Sequence, residues 1–257
     1  REHVAWSQPA GEENTQMLAS DQVRMALAQL SKAQLPQPSA EQTVSQTVLV
    51  VGGGVSGLTA ALESAKSGYP VLLVERSDRL GGWSAQWSRR MPHLPPYREP
   101  RPNDLAKLIE AVRAEGRVRV MLSSRVVKTR GAPGRFEATI SQAGAETTEN
   151  VGAIVVATGW RPYDATRLTH LGYGAPDVVT GVEFEQMLRE GGPKRRSNGA
   201  PVKAIAFLQC AGSRDAAHLP YCSSVCCGVS IKQALQVVTA DPQAIAYVIY
   251  EELRTPG

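Results

Sequence analysis

The chain has 257 residues, of which 42% are hydrophobic and 20% charged, and its formal net charge is +4. This composition excludes disordered, collagen-like and coiled-coil chains, and the length suits one large domain or two small ones. So small a net charge gives no sign of a nucleic-acid partner. The chain starts at Arg1 rather than Met and ends at Gly257 directly after a strand-like run, from which we expect a fragment of a longer chain.

Residues 14–34 are predicted to form a helix because apolar side chains recur at helical spacing, at Val23, Leu27 and Leu30. The prolines of residues 35–39 predict a linker, so residues 1–40 are interpreted as a helical arm and linker packed on the main body. We recognise no signal-peptide pattern in them. The longest charge-free stretch, residues 42–62, is rich in glycine, which favours a strand, a loop and a helix over a membrane span.

A βαβ unit is predicted next. TVLVV at residues 47–51 indicates a buried strand, and a glycine-rich turn and an apolar helix to about Ser67 follow it. Gly68 ends this helix, and VLLV at residues 71–74 forms the second strand. This order implies a parallel sheet with a right-handed crossover.

The turn of this unit, GGGVSG at residues 52–57, matches the dinucleotide-binding fingerprint G-x-G-x-x-G in its expected context. Gly52 permits the tight turn, Gly54 lets the backbone approach a pyrophosphate, and Gly57 allows close packing of helix and strand. Glu75 closes the second strand at the spacing of an acid that binds a ribose diol, which favours FAD or NAD over NADP. The candidate cofactor-binding residues here are Gly52, Gly54, Ser56, Gly57, Glu75 and Arg76.

The remaining elements predict a β-meander and a second βαβ unit. Asn103 is the predicted N-cap of a helix that ends at Gly116, and short strands near 118–122, 125–129 and 135–140 form the meander. A strand is predicted at 152–157, and a capping box at Thr180 and Glu183 predicts the start of another helix. The second βαβ unit is predicted from a strand at 204–209, a helix at 223–239 and a strand at 244–250. We predict an FAD-binding domain over residues 41–180 and a second dinucleotide-binding-like unit, truncated, over residues 181–257.

All four cysteines lie in one segment of this second unit, at Cys210, Cys222, Cys226 and Cys227. A tight cluster without a signal peptide indicates a metal or redox site rather than secreted disulfides. Three interpretations stay open: an iron–sulfur cluster on the four thiolates, a redox disulfide between Cys222 and Cys226 on one helix face, or buried small side chains. His93 and His218 flank the interesting segments and are interpreted as ordinary loop histidines.

The second unit lacks the expected nucleotide fingerprint. QCAGSR at residues 209–214 stands where a second G-x-G-x-x-G would be. Hydride delivery from a nicotinamide is therefore not expected. No Ser/His/Asp triad and no paired carboxylates are recognisable, so no catalytic side chain is predicted and a cofactor would carry the chemistry.

Two further segments resemble flavoproteins with two dinucleotide-binding domains, such as the thioredoxin-reductase-like proteins. They are RLGG at residues 79–82 and ATGWRP at residues 157–162. The resemblance implies α/β architecture, with a Rossmann-like FAD domain that carries a β-meander and a second, partial Rossmann-like unit. The FAD contacts that it adds are Gly81, Gly82, Trp83, Val126 (at the adenine position), Ala157, Thr158 and Gly159.

The string FLQCAGSRDAAHLPYCSSVCCGVSIKQAL at residues 207–235, with other segments in order along the chain, resembles the A subunit of heterodisulfide reductase. The stretch after Gly82 carries tryptophans and no cysteine. It is therefore more similar to the A subunit of the quinone-interacting membrane-bound oxidoreductase than to relatives with an inserted ferredoxin-like domain.

This resemblance implies an FAD-containing electron-transfer subunit of an oxidoreductase complex, with an iron–sulfur cluster in the cysteine segment as a second cofactor. Its partners would be iron–sulfur and membrane quinone-reacting subunits. Its location would be cytoplasmic, with membrane association through those partners. The alternatives are a stand-alone NAD(P)H-dependent disulfide reductase that uses Cys222 and Cys226, and a non-catalytic nucleotide-binding scaffold.

Overall fold

The computed structural model describes residue 4 and residues 8–34, 44–91 and 95–255. The chain divides into two compact units, Arg1–Thr43 and Val44–Gly257. The predicted linker at residues 35–39 and His93 lie outside the described residues. The domain boundaries proposed from sequence stay predictions.

The elements follow the predicted order. The helices are α1 (Glu13–Lys32), α2 (Val55–Lys66), α3 (Leu105–Ala114), α4 (Gly181–Arg189) and α5 (Cys226–Ala240). The strands are β1 (Val48–Val51), β2 (Val71–Val74), β3 (Arg89–Arg90), β4 (Arg101–Pro102), β5 (Val118–Met121), β6 (Ser124–Ala132), β7 (Arg135–Gln142), β8 (Ala145–Val151), β9 (Ala153–Val156), β10 (Ala204–Leu208) and β11 (Ile245–Ile249). Across the described ranges, no helix is both long and apolar enough to cross a bilayer.

A four-stranded parallel sheet with the order β5-β2-β1-β9 forms the centre of the larger unit. Strands β1 and β2 pair from Val48↔Val71 to Val51↔Val74 with α2 as the crossover, which confirms the first βαβ unit. Both faces of these strands are apolar because each face is covered. On one side Val50 packs in a cluster with Leu58 of α2, and on the other Leu49 packs with Ile140 of β7.

The meander is the antiparallel sheet β6-β7-β8, and it differs from the prediction in two strands. The strand near 118–122 is not part of it, because β5 pairs in parallel with β2, starting at Val71↔Val118. Sequence patterning also misses β8, whose residues are mostly polar and exposed. An apolar run predicts a strand but does not identify its partner, and a polar strand at the edge of a sheet leaves little periodic signal.

Asp104 is the residue directly before α3, but the predicted cap, Asn103, makes the capping hydrogen bond, because its Oδ1 accepts the N–H of Leu105 (3.3 Å). The Asn103 Nδ2 also donates to the carbonyl oxygens of Ser84 (2.6 Å) and Trp87 (3.0 Å). Asn103 therefore ties the start of α3 to the segment that follows Gly82.

The second predicted βαβ unit is confirmed, with β10 and β11 parallel from Ala204↔Ile245 to Leu208↔Ile249 and α5 between them. The capping box at Thr180 and Glu183 opens α4 as predicted. Helices α4 and α5 pack on these strands, with Phe184, Phe207 and Val237 buried together.

Candidate functional site

The predicted nucleotide loop lies between β1 and α2, and two of its glycines are required by the fold. Gly52 has φ +110°, and a Cβ there would overlap the carbonyl oxygen of Ala157. A Cβ on Gly57 would overlap the carbonyl oxygen of Gly52. These glycines let the loop, helix α2 and the end of β9 pack closely, as the fingerprint predicts.

Gly54 is different, because nothing lies within 4 Å of a Cβ built on it. It is the N-cap of α2, and no side chain caps this helix end. The first N–H groups of a helix have no partner within the helix and favour an anion. The loop therefore presents an open, positive helix end, and the exposed Ser56 lies in its first turn.

Glu75, predicted to bind a ribose, supports this loop in the structure. Its side chain is buried; Oε2 accepts the Gly53 N–H (2.6 Å) and Oε1 accepts the Ser77 N–H (2.8 Å). A carboxylate can accept further hydrogen bonds at each oxygen, so a ribose diol remains compatible with these contacts. The bracing of the loop is a function that sequence reasoning misses. Arg76, the next residue, is exposed.

The second glycine pair lies directly beside the loop. Gly81 forms a bridge with Gly54 and donates its N–H to Gly53 O (2.7 Å). A Cβ on Gly82 would stand 3.1 Å from Gly54 Cα. The structure thus brings RLGG and GGGVSG together, as the resemblance to flavoproteins implies.

The third predicted segment, residues 157–159, completes this edge of the sheet. Ala157 donates its N–H to Val51 O (2.8 Å), and Thr158 and Gly159 are exposed. Val126 lies farther along, half-buried in the apolar layer under the meander. Apart from Val126, the predicted cofactor residues gather where β1, β2 and β9 end, which is where ligands bind in parallel α/β sheets.

Sequence reasoning overlooks Trp160, which joins two of these segments. Its ring stacks on Trp83 with centroids 5.3 Å apart, and Trp83 Nε1 donates to Trp160 O (2.9 Å). The signal available in the sequence was its position directly after Ala157-Thr158-Gly159.

A buried ion pair attaches the second βαβ unit to the segment after Gly82. Lys232 Nζ lies 2.8 Å from Glu185 Oε2, and both side chains are 4% exposed. Gln233 also donates to Glu185 (3.0 Å), and the Ser88 N–H donates to the other carboxylate oxygen (3.1 Å). Lys232 further lies over the Trp87 ring, 5.2 Å from its centroid. No sequence pattern points to this network, because its members come from separate elements.

The cysteines lie on the loop from β10 to α5 and on the first turn of α5. Cys210 follows Gln209 at a positive φ of 56°, Cys222 lies in the loop, and Cys226 and Cys227 begin the helix. The expectation that Cys222 and Cys226 share one helix face is wrong, because α5 starts at Cys226. Across the described residues, no three His, Cys, Asp or Glu side chains are already arranged to hold a metal ion.

Arg254 pairs with Glu252 near the cysteine loop. The pKa of Arg254 is raised, first by its hydrogen bond to Glu252 and then by the negative charge of Glu252. Arg254 Nη2 is 2.9 Å from Glu252 Oε2.

Tyr163 holds the cysteine loop against the segment that follows β9. Its hydroxyl lies 2.5 Å from His218 Nδ1, and a Cβ on Gly212 would stand 2.6 Å from its ring. His218 also stacks on His170. His218 is therefore engaged with Tyr163 rather than free in a loop, and only glycine at position 212 leaves room for the ring.

Two arginines of the basic run at residues 194–196 form ion pairs. Arg195 lies 2.9 Å from Asp177, and Arg196 lies 3.1 Å from Glu183. Hydrogen bonds from the backbone and hydroxyl of Ser197, with Arg195, lower the pKa of Asp177 to about 2.

The chain is similar in sequence to known proteins. Residues 50–102 match a family described as an NAD(P)-binding Rossmann-like domain. The chain is 26% identical to the A subunit of the ferredoxin/F420H2-dependent CoB-CoM heterodisulfide reductase of Methanosarcina acetivorans, over 100% of this chain and 42% of the relative. It is 28% identical to an iron-sulfur A subunit of the CoB–CoM heterodisulfide reductase of Methanopyrus kandleri, over 100% of this chain and 51% of the relative.

A solved structure, L-proline dehydrogenase from P. horikoshii, has a TM-score of 0.43 and 15% identity over 84% of this chain and 38% of that chain. The sequence relatives confirm the predicted resemblance to the A subunit of heterodisulfide reductase. The chain spans about half the length of these relatives or less. The alignment with the first extends over 348 residues, so that relative contains residues with no counterpart here.

Proposed function

We propose that the chain binds FAD and works as an electron-transfer subunit of an oxidoreductase complex related to heterodisulfide reductase. The observation that carries this proposal is the open space at Gly54, with the Gly81-Gly82 pair and residues 157–159 beside it. The fit to a dinucleotide is good, because the loop offers backbone N–H groups to a pyrophosphate and Glu75 has acceptor capacity for a ribose. The similarity to A subunits of heterodisulfide reductases supports the redox activity.

Bound FAD would supply one- and two-electron redox chemistry, and the chain would bind it, orient it and exclude water. Gly52 and Gly57 keep the loop close to the sheet, and the N–H groups at the start of α2 would bind the phosphates. Glu75, held by the Gly53 and Ser77 N–H groups, would offer a fixed carboxylate to the ribose.

The second cofactor in this proposal is an iron–sulfur cluster on Cys210, Cys222, Cys226 and Cys227. Four thiols on one loop and one helical turn suit a cluster chemically. Within the described residues, Gln209 and Arg214 have buried polar atoms without a partner in this segment, which fits an additional group there. Metal sites are seldom formed before the metal binds, so the separate thiols of the structure are compatible with it.

The partners in this proposal are other subunits of a redox complex, among them iron–sulfur and membrane quinone-reacting subunits. A cytoplasmic location, with membrane association through those subunits, belongs to the same proposal. It draws its support from the similarity to subunits of heterodisulfide reductases.

The experiment that tests this proposal is anaerobic purification of the full-length protein, followed by an absorption spectrum and quantification of released flavin and iron. We expect FAD together with about four iron atoms per chain. Release of FAD without iron would support the assignment as a flavoprotein and contradict the proposed cluster. A folded protein without flavin and without iron would favour the scaffold alternative.

A second measurement separates the electron-transfer function from that of a stand-alone disulfide reductase. NADH or NADPH is added anaerobically, and bleaching of the flavin absorbance is followed. We expect no rapid bleaching, because residues 209–225 form a long loop where a nicotinamide-binding unit has a tight glycine turn. Rapid bleaching would support the disulfide reductase.

A further inference from the structure

Gln209 is a buried polar side chain for which the described residues provide no hydrogen-bond partner. It is 7% exposed, and neither Nε2 nor Oε1 has a partner. Nearly all buried side-chain amides in proteins are hydrogen-bonded, so an unpaired one points to a missing group.

The direction of this side chain follows from the alternation along β10. Ala204, Ala206 and Leu208 are exposed, whereas Phe207 packs inward against Val237 of α5. The Gln209 N–H continues the ladder by donating to Ile249 O (2.9 Å), so its side chain lies on the inner side with Phe207.

The position along β10 identifies what Gln209 faces. Strands β10 and β11 are parallel and α5 is their crossover, so α5 begins at the end of the sheet where β10 finishes. Cys226 and Cys227 form that first turn, Cys210 is the neighbour of Gln209, and no side chain caps the helix start. The unpaired amide therefore lies at the same end of the sheet as the cysteine-bearing start of α5.

A second unpaired donor lies on the same loop. Arg214 Nη1 is buried without a partner in the described part of the chain, while Nη2 lies 3.4 Å from Glu252. Gln209 Nε2 and Arg214 Nη1 only donate hydrogen bonds, so an acceptor would satisfy both atoms, whereas Gln209 Oε1 needs a donor of its own. Thiolate and sulfide sulfurs of a cluster are such acceptors.

We propose that the Gln209 amide donates a hydrogen bond to a sulfur of the iron–sulfur cluster held by the cysteine segment, and so raises its reduction potential. This inference rests on the proposed function, because it requires the cluster. Gln209 is a positioning residue and not a ligand. A reduced cluster carries one more negative charge than the oxidised cluster, so a donor to sulfur stabilises the reduced form more.

The test compares Gln209→Leu with Gln243→Leu in the anaerobically purified full-length protein. Gln243 is exposed at the opposite end of α5, so its substitution controls for the loss of an amide. Iron per chain, the midpoint potential from an EPR-monitored titration, and the thermal unfolding of the iron-free proteins are measured. We expect a more negative potential for Gln209→Leu and no change for Gln243→Leu.

Measurements on the iron-free proteins distinguish a hydrogen bond from Gln209 to the cluster from a purely structural role of Gln209. Replacing an unpaired buried amide by an apolar group of similar size is neutral or stabilising, so iron-free Gln209→Leu should unfold at the same temperature as the unaltered protein or above it. A lower unfolding temperature, or failure of both Gln209→Leu and Gln209→Met to fold, would show that the amide has partners within the protein and overturn the inference.

The remaining outcomes separate the inference from the proposed function. An unchanged potential in a fully loaded Gln209→Leu protein would overturn the inference and leave the cluster in place. Absence of iron from the unaltered protein would overturn the cluster itself and the inference with it.

Discussion

Within the nucleotide loop, two glycines are needed for the fold, and a third is expected to affect ligand binding. Gly52 and Gly57 are required by close backbone contacts, so alanine at either position is expected to destabilise the protein itself. Gly54 has ordinary extended φ and ψ values of −76° and −179° and open space around its Cβ position. A substitution at position 54 is therefore expected to change ligand affinity with little effect on the stability of the fold.

The first prediction is that Gly54→Ala lowers the affinity for FAD at least about tenfold, or about 1.4 kcal/mol, because its methyl group occupies the space of the pyrophosphate. Unfolding in urea should change by about 1 kcal/mol or less, the cost of alanine at an N-cap. Flavin titration of the apoprotein measures the first quantity. Gly116→Ala, whose Cβ also meets open space, is the control and should retain full affinity.

The second prediction concerns the contact between Gly212 and Tyr163. Gly212→Ala should cost about 1–3 kcal/mol for its φ of +82° and about 1–3 kcal/mol more for overlap with the Tyr163 ring. In a Tyr163→Ala background the overlap is absent, so the cost should fall by at least about 0.5 kcal/mol. Urea unfolding of the four proteins of this cycle measures the difference. Additive effects would contradict the packing described here.

At the scale of elements, α4 and α5 are joined to each other by a pair of charges that is almost completely buried, and Ser88 and Trp87 of the segment after Gly82 contact this pair. Removing one partner of such a pair leaves the other charge buried without compensation, whereas removing both costs much less. The pair therefore specifies how these elements fit together more than it adds net stability.

The third prediction follows from this asymmetry. Lys232→Met should destabilise the protein by about 3–5 kcal/mol, and adding Glu185→Leu should recover a large part of the loss. Thermal and urea unfolding measure both effects. The control is Lys66→Met, which removes the exposed pair with Glu63 and should cost less than about 1 kcal/mol. An equal loss for the single and double variants would contradict the buried pairing.

Sequence periodicity and caps predict most elements but not all of their partners. Helix α1, both βαβ units and the capping box of α4 depend on residues close in the chain, and all are confirmed. The pairing of β5 with β2 and the existence of β8 depend on distant strands, and here the prediction is wrong or silent.

At the scale of the whole molecule, the contacts place both βαβ units in a single compact unit, Val44–Gly257. Among the described residues, the long-range connections between the two parts include the Glu185 network, the bond between Tyr163 and His218, and the Arg189 guanidinium that donates to Gln86 O (3.3 Å). These connections hold the cysteine segment and the candidate nucleotide loop in one body, as the proposed electron-transfer function requires.

The fourth prediction is that this unit unfolds in one cooperative step. Trp87 lies against Lys232 of the second βαβ unit, and Trp83 and Trp160 stack beside the nucleotide loop, so their fluorescence should change together with far-UV circular dichroism in urea. Trp6→Phe removes the remaining indole from the signal. Two separate transitions would show that the second βαβ unit unfolds independently.

The sequence by itself determined the α/β class and the candidate nucleotide loop with Glu75, because fingerprint, strand and helix lie within about thirty residues of one another. Only the tertiary structure decided that Glu75 braces the loop, that Trp160 stacks on Trp83, and that Cys222 lies outside α5. These features, like the unpaired amide of Gln209, arise where distant segments meet. Local periodicity records which side chains are apolar, but not which of them become neighbours after folding.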